Sequence, residues 1–137
     1  MSIIVDTCVW SRFLRPHRDL GDPYCGEIRR LARRDQIAML GAIRQEILSG
    51  AQPHVRFEQL KQYLRYYPNL PLDAEDDENA AGYYNRCRSH GIQGSATDLL
   101  ICAVSVRYKL KILTTDTDFE FYAEHLPISL HRFRGQR

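Results

Sequence analysis

The segment Ile3-Ile4-Val5-Asp6-Thr7-Cys8-Val9-Trp10 decides how the chain folds. Its β-branched apolar start favours a buried strand over residues 2–5, and Val9, Trp10, Phe13 and Leu14 then recur at helical spacing until Pro16. A strand that runs into an acid and then a helix is the opening of a strand–helix–strand unit. The arrangement returns late in the chain, where Ile112-Leu113-Thr114-Thr115 meets Asp116. Asp98 opens the apolar run Leu99–Val104, and Glu46 sits in a short helical stretch. A carboxylate where a buried element ends is unfavourable unless a partner offsets its lost hydration, and a divalent cation is the simplest partner for several acids at once.

Between these landmarks strands and helices alternate. Asp22-Pro23 reads as an N-cap with proline at the first helical position, opening a helix through Arg34 with Ile28, Leu31 and Ala32 inward. A second strand is expected over Gln36–Leu40, a short helix from Ala42 to Ser49 closed by Gly50, and a helix over His54–Tyr67, stopped by Pro68, with Val55, Leu60, Tyr63, Leu64 and Tyr67 as its apolar residues. The helix from about Ala96 to Tyr108 is apolar on nearly every side and therefore central. A strand over Lys111–Thr114 and a last short one over Ile128–Leu130 complete the pattern. Alternation of this kind gives a parallel sheet joined by right-handed crossovers and covered by helices on both faces, with sites just beyond the carboxyl ends of the strands. Asp6 and Asp116 share that edge.

At 137 residues and 44% hydrophobic, the chain is expected to form one domain, 1–137, around one core. It has no membrane-length apolar stretch and no secretory leader pattern, so a cytoplasmic protein is expected. Cys8, Cys25, Cys87 and Cys102 lack CxxC or Cys/His metal spacing, which disfavours zinc and makes free thiols the expectation. Net charge is +2, but residues 1–68 hold 11 Lys/Arg against 7 Asp/Glu and the remainder 8 against 10. The arginines at 29, 30, 33 and 34, and at 132, 134 and 137, form local basic clusters that a solvated surface explains equally well. The acidic run Asp73–Glu78 invites a metal reading but fits ordinary helix design better: Asp73 and Asp76 have the spacing of an N-capping pair, and Arg86, Arg88 and His90 suit the opposite end before Gly91.

Each of the dispersed acids has a simple alternative. Asp6 could cap the following helix, Asp98 could complete a capping box with Ser95, Asp116 could start a turn and Glu46 could be a solvated helix residue. Capping does not explain why acids should gather at one edge, whereas Mg²⁺ or Mn²⁺ takes several carboxylates and water and needs no soft ligand.

The stretches IIVDTCVW, IRQEILSG, GIQGSATDLLICAVS and ILTTDTDF, in this order, closely resemble PIN-domain ribonucleases, in particular the VapC-type toxins of bacterial toxin–antitoxin systems. The likeness spans essentially the whole chain. It implies a three-layer α/β/α domain with a central parallel sheet and a Mg²⁺- or Mn²⁺-dependent endoribonuclease site. By motif match Asp6, Glu46, Asp98 and Asp116 correspond to the acidic cluster, Asp118 is a further candidate ligand, and Thr7 and Thr115 are polar supports. The resemblance also implies products with 5′-phosphate and 3′-hydroxyl ends, a homodimer and a VapB-like antitoxin. Arg12 and Arg15 on the first helix are the candidate RNA contacts, and the first helix with residues 55–67 is the candidate partner surface. A small metal-dependent phosphatase or a non-catalytic RNA-binding module are the alternatives. The chain lacks a serine-nucleophile motif, a P-loop and a GxGxxG motif, which disfavours acyl transfer and those modes of nucleotide binding.

Overall fold

The computed structural model describes residues 1–16 and 21–136; His17–Leu20 and Arg137, the last of the basic C-terminal cluster, lie outside the described residues. Strand β1 (Ile3–Val5) leads into α1 (Thr7–Leu14), then α2 (Pro23–Arg33), β2 (Ile37–Ala38), α3 (Gly41–Leu48), α4 (His54–Leu64), α5 (Ala74–Ser89), α6 (Ala96–Tyr108), β3 (Lys111–Leu113) and α7 (Asp118–His125). The strands form a parallel sheet in the order β2-β1-β3, with Ile3 opposite Ile37 on one side and Val5 opposite Leu113 on the other. Ile3, Ile4 and Val5 are all buried, as a central strand covered on both faces requires, and the fold is the three-layer α/β/α arrangement.

The chain leaves β1 towards opposite sides of the sheet for β2 and β3, so the crevice at the carboxyl end of β1 is the switch point where such sheets bind ligands. The ladder runs one residue past β1, because the Asp6 amide donates to the Leu113 carbonyl at 2.9 Å. That bond fixes Asp6 beside the segment that carries Thr114 and Asp116. Helix α6 contributes Leu99, Ile101, Cys102, Ala103, Val104 and Ser105 to the interior and packs along α5, in keeping with its expected central position.

Three elements are shorter than the sequence pattern implies. Strand β2 ends at Ala38 because Met39 leaves β1 and bridges Asn69 instead. Helix α4 ends at Leu64, not Tyr67: the guanidinium of Arg44 donates to the Leu64 carbonyl at 2.9 Å and to that of Tyr67, satisfying the last carbonyls where the helix stops. The expected strand over Ile128–Leu130 reduces to one parallel bridge between Ile112 and Leu130, held by Ile112 N–H to Ser129 O at 3.0 Å and His131 N–H to Ile112 O at 2.7 Å.

The acidic run behaves as helix design. Asp73 is the N-cap of α5 in a reciprocal capping box with Asp76, and Gly91, at φ +77°, follows the C-cap His90 in the left-handed conformation. All four cysteines are free.

Candidate metal centre

Asp6 ends β1 and caps α1, one carboxylate oxygen accepting from the Thr7 amide at 2.8 Å. Its other oxygen accepts from Thr114 Oγ1 at 2.8 Å and from Cys8 Sγ at 3.5 Å. Asp6 is 6% exposed, and its pKa is raised by burial and by the neighbouring charge of Glu46, against the lowering effect of these hydrogen bonds. Thr7 Oγ1 donates to Glu46 at 2.7 Å, which ties the exposed acid of α3 to the start of α1.

Asp98 lies in the first turn of α6, whose N-cap Ser95 accepts the Asp98 amide at 3.0 Å. Tyr122 of α7 donates its hydroxyl to Asp98 Oδ2 at 2.8 Å. Burial raises the Asp98 pKa, and so do the charges of Asp6 and Asp116, while the Tyr122 bond opposes them. Gly94 is packed so closely here that a Cβ would fall 2.9 Å from the Tyr122 hydroxyl and 2.4 Å from Leu99 Cδ2. The Asp116 amide donates to Thr114 Oγ1 at 3.0 Å and the Asp116 carboxylate accepts the Asp118 amide at 2.9 Å, an Asx-type turn into α7.

Carboxylate oxygens of Asp98, Asp116 and Asp118 lie within 4.8 Å of one another. Asp6 stands outside that set, close enough for its charge to raise the Asp98 pKa, and Glu46 reaches the group through Asp6 and Thr7. Three of the simple alternatives are realised, since Asp6 caps, Asp116 starts a turn and Glu46 is exposed, while for Asp98 only half of the expected capping box forms, Ser95 accepting the Asp98 amide and the Asp98 carboxylate turning to Tyr122; the acids still converge. Asp118, the least certain candidate in the sequence, belongs to the tightest set.

The supporting groups differ from expectation. Thr114, not Thr115, supplies the hydroxyl that joins Asp6 to Asp116, while Thr115 gives its backbone amide to Cys8 Sγ at 3.4 Å. Tyr122 was not legible as a site residue: its signal is a hydroxyl on the otherwise apolar Phe119/Tyr122 face of α7, which needs a polar partner. Arg12 is engaged within the fold, 3.4 Å from both Asp22 oxygens and 5.1 Å above the Tyr24 ring. Arg15 is exposed at the far end of α1, about 13 Å along the helix from Asp6. The apolar residues Val9, Trp10 and Phe13 of α1 are core, not partner surface, whereas Val55, Tyr63 and Tyr66 are exposed.

Among the described residues no salt bridge reaches the converging acids. The other two buried acids among the described residues are paired: Glu27 with Arg30 at 2.7 Å and with the His131 ring at 2.5 Å, Asp76 with Arg107. A set of hard oxygen donors with no cationic side chain among its described partners suits a divalent cation and not a soft-ligand metal.

Residues 3–124 match the PIN domain family. The chain is 33% identical over 136 residues to VapC ribonuclease Mb1587 of Mycobacterium bovis and to ribonuclease VapC11 of Mycobacterium tuberculosis, covering 96% of this chain and 99% of each relative. Its fold is similar to that in FitAB bound to an IR36 DNA fragment (TM-score 0.77, 21% identity, 98% of this chain and 99% of that one). It is also similar to that in VapBC2 of Rickettsia felis bound to a promoter DNA fragment (TM-score 0.76, 14% identity, 97% and 99% coverage).

Proposed function

This chain belongs to the PIN-domain family and, within it, to the VapC-type ribonucleases, and from that premise we propose that it is the toxin of a VapBC-type system, a cytoplasmic single-domain endoribonuclease dependent on Mg²⁺ or Mn²⁺. One observation carries the metal reading: among the described residues the buried acids Glu27 and Asp76 have cationic partners, while the partners of Asp6 and the acids beside it are hydroxyl, thiol and amide donors. No helix among the described residues is long and apolar enough to cross a membrane.

Asp98, Asp116 and Asp118 are read as the principal ligands, with Asp6 completing the charge. A divalent ion held by them would neutralise charge at the phosphoryl oxygens and lower the pKa of bound water. Tyr122 holds one oxygen of Asp98 and leaves the other for the site; Thr114 and the Thr7 amide each hold one oxygen of Asp6, which fixes that carboxylate beside the site, and Thr114 braces the turn at Asp116. Glu46, hydrogen-bonded by Thr7, is read as the group that orients the attacking water and accepts its proton. Water adds to phosphorus as Glu46 takes its proton, the P–O3′ bond breaks and a proton from solvent water passes to the leaving oxygen, giving 5′-phosphate and 3′-hydroxyl ends. Arg15 is the remaining first-helix candidate for a backbone contact. The partners in this reading are RNA, a VapB-like antitoxin and a second copy of the chain.

The test is incubation of the purified protein with structured RNA. Internal cleavage in Mg²⁺, abolished by EDTA and restored by Mn²⁺, is the expected outcome. RNA binding without cleavage at any metal concentration would instead identify a non-catalytic module, and phosphate release from small esters with intact RNA a phosphatase.

A further inference from the structure

A cleft of about 330 Å³ opens beside Asp116, between the end of β3 and the chain's C-terminal segment. It shares Thr114 and Asp116 with the candidate metal centre, so an RNA strand crossing that centre passes its mouth. Tyr24, Ile112 and Leu130 give it apolar and aromatic surface, while Thr115, Thr117 and Gln136 give it hydrogen-bonding groups. At the small end of the ~300–1,000 Å³ range of ligand sites, it has room for one flat ring system and not for a dinucleotide.

Charge decides what class of group enters. The basic side chains on its wall are both engaged, Arg132 with Glu120 at 2.7 Å and the His131 ring with buried Glu27 at 2.5 Å, and Asp116 adds a negative charge. A phosphate would meet no uncommitted cation among these wall residues; an uncharged planar group meets apolar faces and polar edges.

The wall is also fixed in advance. Arg30 grips Glu27 through two bonds of 2.7 and 2.8 Å, and hydrogen bonds from Arg30 and His131 lower the Glu27 pKa against its burial. The Gln136 amide donates to the Tyr24 hydroxyl at 3.3 Å and accepts the Phe133 N–H at 3.3 Å, and Phe133 packs edge-to-face on Tyr24 at 5.2 Å. Buried ion clusters are weak sources of stability, so the effect of this one is a C-terminal segment held in register against α2.

We propose that this cleft receives the nucleobase of a nucleotide flanking the scissile phosphate and contributes to cleavage specificity. The proposal rests on the nuclease reading above. Its test begins by mapping cut sites of the parent on a randomised RNA pool, followed by kinetics on an oligonucleotide carrying one mapped site, with the base intact or replaced by an abasic residue. Gln136→Trp, which fills the cleft, is expected to lower kcat/KM ~10-fold, mostly through KM, as loss of one stacked base does. It should also weaken the base preference and leave Mn²⁺ affinity at the parent value. The abasic substitution should slow the parent by a similar factor and Gln136→Trp no further. Thr117→Val, isosteric and without the hydroxyl, serves if the tryptophan variant does not fold, and should shift the preferred base.

Parental cleavage with unaltered rate and preference in both variants overturns this proposal alone. So does a variant that cleaves normally but loses affinity for an antitoxin peptide, which assigns the cleft to a protein partner. A parent that cuts no RNA overturns the nuclease reading and this proposal with it.

Discussion

Two groups of acids in this molecule differ in how their charge is balanced. Between Asp73 and Glu78 the acids crowd in sequence, yet the one that is buried is balanced and the rest are solvated: Asp73 and Asp76 cap α5, Asp76, 1% exposed, pairs with Arg107, and Glu75, Asp77 and Glu78 are exposed. Asp6, Glu46, Asp98, Asp116 and Asp118 span 112 intervals of sequence and meet at one end of the sheet with no cation among their described partners. Density along the chain reflects helix capping; density in space, left uncompensated, marks a place where a cation is needed.

The comparison is open to direct attack. The largest effect is expected for Asp98→Asn, which should lower Mg²⁺-dependent RNA cleavage by roughly 100-fold or more, while Asp77→Asn in the acidic run cleaves within about twofold of the parent, as end-mapped gel kinetics would show. Tyr122→Phe should weaken Mn²⁺ binding ~10-fold without loss of fold, because the Asp98 carboxylate loses the bond that orients it. An unchanged Mn²⁺ affinity would reduce Tyr122 to a packing residue.

The groups should also trade places in stability. Asp76→Ala removes a cap and the partner of Arg107, and should cost about 1–3 kcal/mol in urea titration with Mn²⁺ affinity intact. Asp98→Asn should do the opposite in metal-free protein and raise Tm by roughly 2–5 °C, the response to ~1 kcal/mol of relieved repulsion. The sign follows from linkage. Asp6 and Asp98 have folded pKa values raised above 3.8, so the metal-free folded state keeps protons that the unfolded chain has released. Stability contributed by these groups is present below the unfolded value and declines as pH rises through the folded values. Adding Mn²⁺ should reverse that decline, and Mn²⁺ affinity should fall on acidification from above the ordinary carboxylate range.

Much of this was legible in the sequence where signals are local. Apolar residues gave α1, α2 and α6, and Asp22-Pro23 and Asp73/Asp76 announced the caps of α2 and α5. Strand lengths were less so, because β2 ends where Met39 finds Asn69, a partner that periodicity does not name. The first four acids were readable from the ends of apolar runs and their motifs, but Thr114 and Tyr122 were not. Their partners lie 108 and 24 residues away, and only the folded sheet edge brings them together. Glu27 was invisible for the same reason, its His131 partner being 104 residues distant.

The most direct measurement is a calorimetric titration of Mn²⁺ into metal-free parent, Asp98→Asn and Asp77→Asn. Saturable binding by the parent and by Asp77→Asn, lost or weakened at least tenfold in Asp98→Asn, is the expected result. Equal binding by all three proteins, or none by the parent, would contradict the assignment of the converging acids as the cation site.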